Sequence, residues 1–165
     1  MSLVPIADQP DDARIWIFPA RDPLSREGVD RLMNSVEGFL DAWEAHGRPL
    51  RASAECSEDR FLIVAVDRAS EPPSGCSIDA LVRHLGEIAP EVGTSFVDHA
   101  PVWFRAANGS VACVSRAAFR DLADRHEIDR DTRVFDTTLT ALSSLRSGKL
   151  EVPASDTWHG AAFFD

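Results

Sequence analysis

The feature of this sequence that most constrains its fold is an uninterrupted apolar run, Phe61–Val66. A strand that is apolar at every position has no face suited to water, so we expect it in the middle of a sheet. A second strand is predicted at residues 50–56. The polar residues 57–60 between these strands are typical of a hairpin.

Two amphipathic helices are predicted beside these strands. Ser25 is placed to cap the first helix, because its hydroxyl can accept a hydrogen bond from a backbone N–H of the first turn. Apolar residues recur at spacings of three and four as far as Trp43, and Gly47 is expected to end this helix. The second helix is predicted from Ser77 to about Ile88. The apolar residues of its buried stripe are Ile78, Leu81, Val82 and Leu85.

Strands at residues 14–18 and 95–99 complete an order of strand, helix, strand, strand, helix and strand, which is that of a split βαβ arrangement. Asn108 and Gly109 predict a hairpin that joins two further strands. The remaining elements are the strands of that hairpin, 102–106 and 111–115, and helices at 117–126 and 137–145. We therefore expect an α+β fold with a ferredoxin-like core, in which two helices cover one face of a mixed or antiparallel sheet, plus a hairpin and C-terminal helices.

A chain of 165 residues is long enough for one domain with a single core. We expect one α+β domain over residues 1–165, with a lead-in at 1–12 and a C-terminal extension at 129–165 packed on the core. The three cysteines are an odd number without a close pair, which fits thiols in a reducing compartment better than a disulfide scaffold. No secretory leader opens the chain, so a cytoplasmic location is expected.

The balance of charge restricts the possible partners. A net charge of −10 argues against nucleic acid, because contacts to phosphate need clustered Lys and Arg. The same charge disfavours an anionic membrane surface, and no apolar stretch approaches the roughly 20 residues of a membrane span. The chain has no H-E-x-x-H motif, no calcium loop and no G-x-G-x-x-G motif. No metal ion and no cofactor is therefore expected.

Several short motifs are familiar as a set. They are RIWI at 14–17, WEAHGRPL at 43–50, SGCSID at 74–79, TRVFD at 132–136 and WH at 158–159. Together they resemble a family of small uncharacterised bacterial proteins of similar length, over nearly the whole chain. Members of that family often carry the label "ABC transporter ATPase". The resemblance implies a shared fold and shared site residues.

The sequence does not support the activity in that label. An ATPase of this class needs G-x-x-x-x-G-K-[ST], in which a glycine-rich backbone surrounds the phosphates and the lysine neutralises them. The sole lysine, Lys149, is followed by Leu150 where the magnesium-binding hydroxyl belongs, and Ser143 stands in place of the first glycine. The resemblance therefore supplies no activity.

Residues 74–79 contain the strongest candidate for chemistry. Cys76 precedes the predicted helix, where backbone N–H groups and the helix dipole favour a thiolate, and Gly75 would allow a sharp turn and the close approach of a ligand. The competing interpretation is structural. In it Ser77 caps the helix, Ser74 and Asp79 satisfy its N–H groups, and Cys76 is a small buried hydrophobe.

A nucleophilic cysteine needs a base within hydrogen-bond reach. The candidates are His159, which follows Trp158 in a tail of small residues, and His46 at the expected end of the first helix. Asp79 or Arg14 would orient the base or bind the substrate. Structural interpretations compete here too, because Trp158 can anchor the C-terminus and His46 can stabilise a helix end.

Two functions from different classes remain open. The first is a non-catalytic module that binds a small molecule or a protein partner, with self-association through a sheet face also open. Its candidate binding residues are Arg14, Trp16, Trp43, Ser74, Gly75, Ser77 and Trp158. The second is an enzyme of acyl transfer or thiol redox chemistry that uses Cys76, with His159 or His46 as base and Asp79 as support. We favour the module, because it requires no encounter between residues distant in sequence.

Overall fold

The computed structural model describes residues 3–164, so the first two residues of the predicted lead-in lie outside the described residues. Helices and antiparallel sheets are both present, which confirms the α+β class. The chain forms two compact units. The first is the chain up to Val97 with Thr140–Ser143, and the second is Asp98–Leu139 with the chain from Ser144. The single domain expected over residues 1–165 stays a prediction.

The first unit contains a three-stranded sheet, a small hairpin and two long helices. Its elements are β1 (Arg14–Pro19), α1 (Arg26–Asp41), β2 (Glu44–Ala45), β3 (Arg48–Pro49), β4 (Ala52–Ser57), β5 (Phe61–Val66) and α2 (Gly75–Ile88). The sheet order is β1-β5-β4, and all neighbours are antiparallel. The apolar strand β5 is therefore central, as predicted, and all six of its residues are buried.

Both helices of this unit cover the same face of the sheet. Alternate residues of a strand share a face. The alternate residues of β5 on one face pack in a single cluster with residues of both helices. The cluster includes Leu62, Val64 and Val66 of β5, Leu32, Val36 and Leu40 of α1, and Leu81 and Leu85 of α2. His84 also joins the helices, because its Nε2 lies 2.8 Å from the Ser35 hydroxyl and its ring stacks on Phe39.

The first helix is shorter than the sequence predicted. It begins after Ser25, whose hydroxyl accepts a hydrogen bond from the Gly28 N–H at 3.0 Å. It ends at Asp41, and the chain then forms the β2–β3 hairpin. The two turn residues, His46 and Gly47, have φ angles of 54° and 74°. Two consecutive left-handed residues suit a two-residue hairpin turn, so Gly47 serves this turn and does not end the helix.

The second helix begins two residues earlier than predicted. Ser74 caps it, because the Ser74 hydroxyl accepts a hydrogen bond from the Ser77 N–H at 3.1 Å. Val82, which was expected in the buried stripe, is 50% exposed. The buried positions of the helix are Ser77, Leu81, Leu85 and Ile88.

Residues 95–99 do not form the predicted strand. Phe96 makes an isolated antiparallel bridge with Ala20, just beyond the end of β1. The Val97 N–H donates to the Pro19 carbonyl at 3.1 Å beside it. Within residues 3–164 the sheet of the first unit therefore has three strands, and the ferredoxin-like topology is not confirmed.

The second unit has a sheet of its own. Its elements are β6 (Val102–Arg105), β7 (Val111–Val114), α3 (Arg116–Asp124), β8 (Arg133–Phe135), α4 (Leu142–Arg146), of which the residues from Ser144 onward belong to this unit, β9 (Glu151–Pro153) and α5 (Trp158–Phe163). The sheet order is β7-β6-β8-β9, again antiparallel. The β6–β7 hairpin is as predicted. The sequence predicted neither β8 nor β9, and the helix expected at 137–145 is reduced to α4.

Phe119 of α3 lies at the centre of this unit's core and is fully buried. Its ring centroid lies 5.4 Å from that of Phe104 on β6 and 4.9 Å from that of Phe163 on α5, both in edge-to-face geometry. The core thus joins the sheet, α3 and the C-terminal helix.

Candidate functional site

A groove of about 430 Å³ lies in the first unit at the start of α2. Its walls come from the end of α1, the β2–β3 hairpin and the first turns of α2. Residues singled out from the sequence that line it are Trp43, His46, Ser74, Cys76 and Ser77. We call this the Trp43 groove.

Trp43 contributes an apolar surface to the groove. Its side chain is only 3% exposed, and its Nε1–H donates to the Ser77 carbonyl at 2.9 Å. The ring centroid of Phe39, on the last turns of α1, lies 6.0 Å from that of Trp43. Because the indole N–H is already bonded, Trp43 offers a ligand apolar contact only.

The two serines of the groove are also engaged. The Ser74 hydroxyl caps α2, and the Ser77 hydroxyl donates to the Ser74 carbonyl at 2.8 Å. Ser77 is buried. These hydroxyls therefore fix the first turn of α2.

Cys76 is exposed, so the expectation of a small buried hydrophobe is wrong. It lies in the first turn of α2 and not before the helix, because the cap is at Ser74. The other two cysteines, Cys56 and Cys113, are half-buried. Burial, with the nearby charges of Asp59 and Glu55, raises the pKa of the Cys56 thiol to about 11.

His46 lies at the tip of the β2–β3 hairpin and is exposed. In the described part of the chain its ring has no hydrogen-bond partner, so the imidazole and the Cys76 thiol are available to a ligand in the groove. Glu44, also exposed, adds a carboxylate to the same lining. The groove thus combines an apolar floor with a few polar groups.

Gly75 and Asp79 do not line the Trp43 groove, although both are exposed on α2. Gly75 does not have a left-handed φ, and a Cβ added there would meet no atom within 4 Å. The sharp turn expected at this glycine is therefore absent. The orienting role of Asp79 stays a prediction.

Arg14 and Trp16 line a second groove of the first unit, also of about 430 Å³. It lies where β1 begins and β5 ends, since Arg14 pairs with Val66 in the sheet. The guanidinium carbon of Arg14 lies 5.0 Å from the centroid of the Trp16 ring. We call this the Arg14 groove.

His159 and Trp158 belong to the second unit. His159 is 2% exposed, and its Nδ1 lies 2.7 Å from the Thr157 hydroxyl. The ring centroids of Trp158 and His159 are 3.9 Å apart, and the Arg116 guanidinium lies 4.9 Å from the Trp158 ring. Burial lowers the pKa of His159 to about 4, an effect that Asp136 opposes and Arg116 reinforces. The imidazole is therefore neutral at pH 7.

Sequence reasoning missed most residues of the Arg14 groove, among them Arg68, Pro72 and Pro73. These three lie in the loop that links β5 to α2. The available signal was Arg68 and the adjacent pair Pro72 and Pro73, all in the loop that follows the central strand. Only the pairing of β1 with β5 shows that these loop residues share a groove with Arg14.

No protein-family model matches the sequence, and neither a curated protein nor a solved structure matches it. Among residues 3–164, no helix is long and apolar enough to cross a membrane. The same residues include no group of three or more His, Cys, Asp or Glu side chains placed to hold a metal ion.

Proposed function

We propose that this protein is a cytoplasmic small-ligand-binding module and that the Trp43 groove takes the ligand. The observation that carries this proposal is the presence of an exposed thiol and an exposed imidazole, those of Cys76 and His46, on one groove with an apolar floor. Ligand sites of proteins typically combine apolar walls with a few polar groups that fix orientation.

The dimensions and chemistry of the groove limit the ligand. Its volume of about 430 Å³ suits a small molecule, because ligand pockets usually measure about 300–1,000 Å³. Phe39 and Trp43 favour a ligand with a flat apolar body, and Glu44 favours a ligand with an N–H or O–H donor.

A cysteine-dependent enzyme is the second candidate, and the same pair of side chains favours it. In an acyl transfer, His46 would take the thiol proton while the Cys76 sulfur bonds to the carbonyl carbon of the substrate. The leaving group would then depart with the proton from His46. This step requires the ring nitrogen within hydrogen-bond reach of the sulfur, whereas binding requires only that both groups line the groove. The binding function is therefore preferred.

One labelling experiment tests both candidates. The rate at which iodoacetamide alkylates Cys76 is measured by mass spectrometry between pH 6 and pH 9, roughly the range over which thiols titrate, with and without aromatic fragments from a binding screen. The variants are His46→Ala, Ala80→Leu, which fills the groove, and Val82→Leu, which places the same side chain at an exposed position outside it. Cys56 is the internal reference, since its pKa of about 11 keeps it slow to react.

A binding module predicts that fragments slow the alkylation of Cys76 in a saturable way. Ala80→Leu should abolish this protection, and Val82→Leu should retain it. An enzyme predicts instead that His46→Ala slows alkylation severalfold at neutral pH, because the base is lost. If alkylation responds neither to fragments nor to His46→Ala, both functions are wrong for this groove.

We also propose that the first unit is a ferredoxin-like core whose last strand is reduced to the bridge at Phe96. The proposal is supported by the order β1-β5-β4, in which the third strand of the split βαβ unit lies between the first and the second. A common fold with the family of small bacterial proteins that the sequence resembles is part of the same proposal.

A further inference from the structure

The Arg14 groove contains two guanidinium groups, those of Arg14 and Arg68, which form no ion pair in the described part of the chain. Within residues 3–164, neither Arg14 nor Arg68 forms an ion pair or a side-chain hydrogen bond. Two other arginines near this loop do form ion pairs. A guanidinium nitrogen of Arg51 lies 3.1 Å from a carboxylate oxygen of Asp67, and one of Arg48 lies 3.9 Å from a carboxylate oxygen of Glu71. Two guanidinium groups thus line one groove of a chain that has 27 acidic and 17 basic residues overall.

The Arg14 side chain is held in a defined position. Its guanidinium lies over the Trp16 ring at 5.0 Å, and Trp16 is half-buried against the core of the first unit. A guanidinium stacked on an indole keeps its N–H edge available, and that edge matches the two oxygens of a carboxylate or phosphate. The loss of side-chain entropy on binding is thereby reduced.

Apolar side chains form much of the remaining wall of the groove. Pro72 and Pro73 face it with rings that carry no N–H donor, and Val66 contributes a buried aliphatic side chain. A flat apolar group can therefore lie against these rings while an anionic group reaches the two arginines. The volume of about 430 Å³ is sufficient for a small organic molecule.

The negative charge of one groove residue and of the whole chain limits how many negative groups the ligand can carry. Asp12 lines the same groove and repels a second anionic group nearby. The net charge of −10 repels polyanions at longer range. A ligand with one oxyanion is therefore favoured over an acidic peptide or a nucleic acid.

We infer that the Arg14 groove is a second binding site, specific for a small organic molecule that carries a single carboxylate or phosphate on a flat apolar body. Arg14 binds the oxyanion through its planar N–H edge, Arg68 adds a second positive charge, and Pro72 and Pro73 contact the apolar part. This site uses none of the residues of the Trp43 groove. The inference therefore does not depend on the function proposed for that groove.

Amide chemical shifts of the full chain, titrated with benzoate, phenyl phosphate and neutral benzamide, test this inference. We expect saturable shifts at Trp16 and Arg68 with the two anions and none with benzamide. The more tightly bound anion identifies the oxyanion that the site prefers. Shifts at Cys76 would instead indicate binding in the Trp43 groove, so the titration distinguishes binding at the two grooves.

Arginine variants test the roles of the two guanidinium groups. Arg14→Gln and Arg68→Gln should each raise the Kd of the preferred anion about tenfold, since each removes charge-assisted contacts. Arg83→Gln is the matched control, because Arg83 is exposed on α2 and lines neither groove. All three side chains are exposed, so the variants should fold.

Three results would overturn the inference. The first is the absence of saturable shifts with either anion at millimolar concentration. The second is equal binding of benzamide, or an equal loss of affinity in Arg83→Gln. The third is tighter binding of a hexaglutamate peptide than of benzoate with the same dependence on Arg14, which would identify an acidic protein segment as the ligand.

Discussion

His159 shows how burial determines the charge of a single residue. Its imidazole is almost fully buried in the second unit, and this burial lowers its pKa from 6.5 to about 4. The unfolded chain, in contrast, binds the proton near pH 6.5. As the pH falls from about 6.5 to 4, the unfolded state therefore takes up a proton that the folded state refuses, and stability is lost in that window.

We predict that His159→Gln reduces the acid sensitivity of the protein. Each unit of pKa difference corresponds to about 1.4 kcal/mol, so His159 should account for a loss of roughly 2–3 kcal/mol between pH 7 and pH 4. Urea unfolding at both pH values measures the free energy of unfolding of the native chain and of the variant. His126→Gln, at an exposed histidine, is the control. An unchanged pH dependence in His159→Gln would contradict this account.

The three cysteines illustrate what the sequence can and cannot establish at this scale. It shows that they have no close pairing, which follows from their spacing alone. The sequence does not show which cysteine is exposed, because the burial of each thiol depends on the side chains that pack against it. Cys56 on β4 faces the core cluster of the first unit, whereas Cys76 lies in an exposed helical turn.

At the scale of single elements, local signals were reliable. The cap at Ser25, the central strand β5 and the β6–β7 hairpin all depend on residues close together in sequence, and the structure confirms each of them. Errors arose where a distant contact decides the outcome. The helical spacing continues to Trp43, but the indole bonds to Ser77 and the chain leaves the helix before it.

The second sheet could not be predicted for the same reason. The strands β8 and β9 are three residues each, too short for a clear alternation of apolar and polar side chains. They are strands because β6, β8 and β9 pair across long stretches of sequence. The Trp43 groove was predictable in part, since several of its residues lie within residues 74–77. His46 was a candidate base too, but its place on the groove depends on the β2–β3 hairpin, which the sequence did not predict.

We predict that Ser74→Ala destabilises the first unit through its effect on α2. The Ser74 hydroxyl accepts a hydrogen bond from the Ser77 N–H, and loss of such a cap typically costs about 1 kcal/mol. Ser74→Asp should retain most of the stability, because a carboxylate also caps a helix and interacts favourably with its dipole. Urea unfolding of both variants measures the difference. Equal stability of Ser74→Ala and the native chain would show that the cap contributes nothing.

At the scale of the whole molecule, neither unit is a single continuous segment. The chain leaves the first unit after Val97 and returns to it at Thr140–Ser143. The returning segment lies beside β1: the Ile15 N–H donates to the Thr140 carbonyl and the Leu142 N–H donates to the Ala13 carbonyl, both at 3.0 Å. An exposed strand edge is a site of fraying and aggregation, so this segment protects the edge of β1.

We predict that a fragment of residues 1–97 keeps the central strand but loses protection at β1. Loss of the hydrogen bond to Thr140 should speed exchange of the Ile15 amide about fivefold relative to the full chain, because one net hydrogen bond is worth about 1 kcal/mol. The Ile63 amide of β5, which has a strand on each side, is the internal reference. A synthetic peptide of residues 138–145 should restore protection at Ile15. If the fragment alone protects Ile15 as well as the full chain does, the returning segment does not stabilise the first unit.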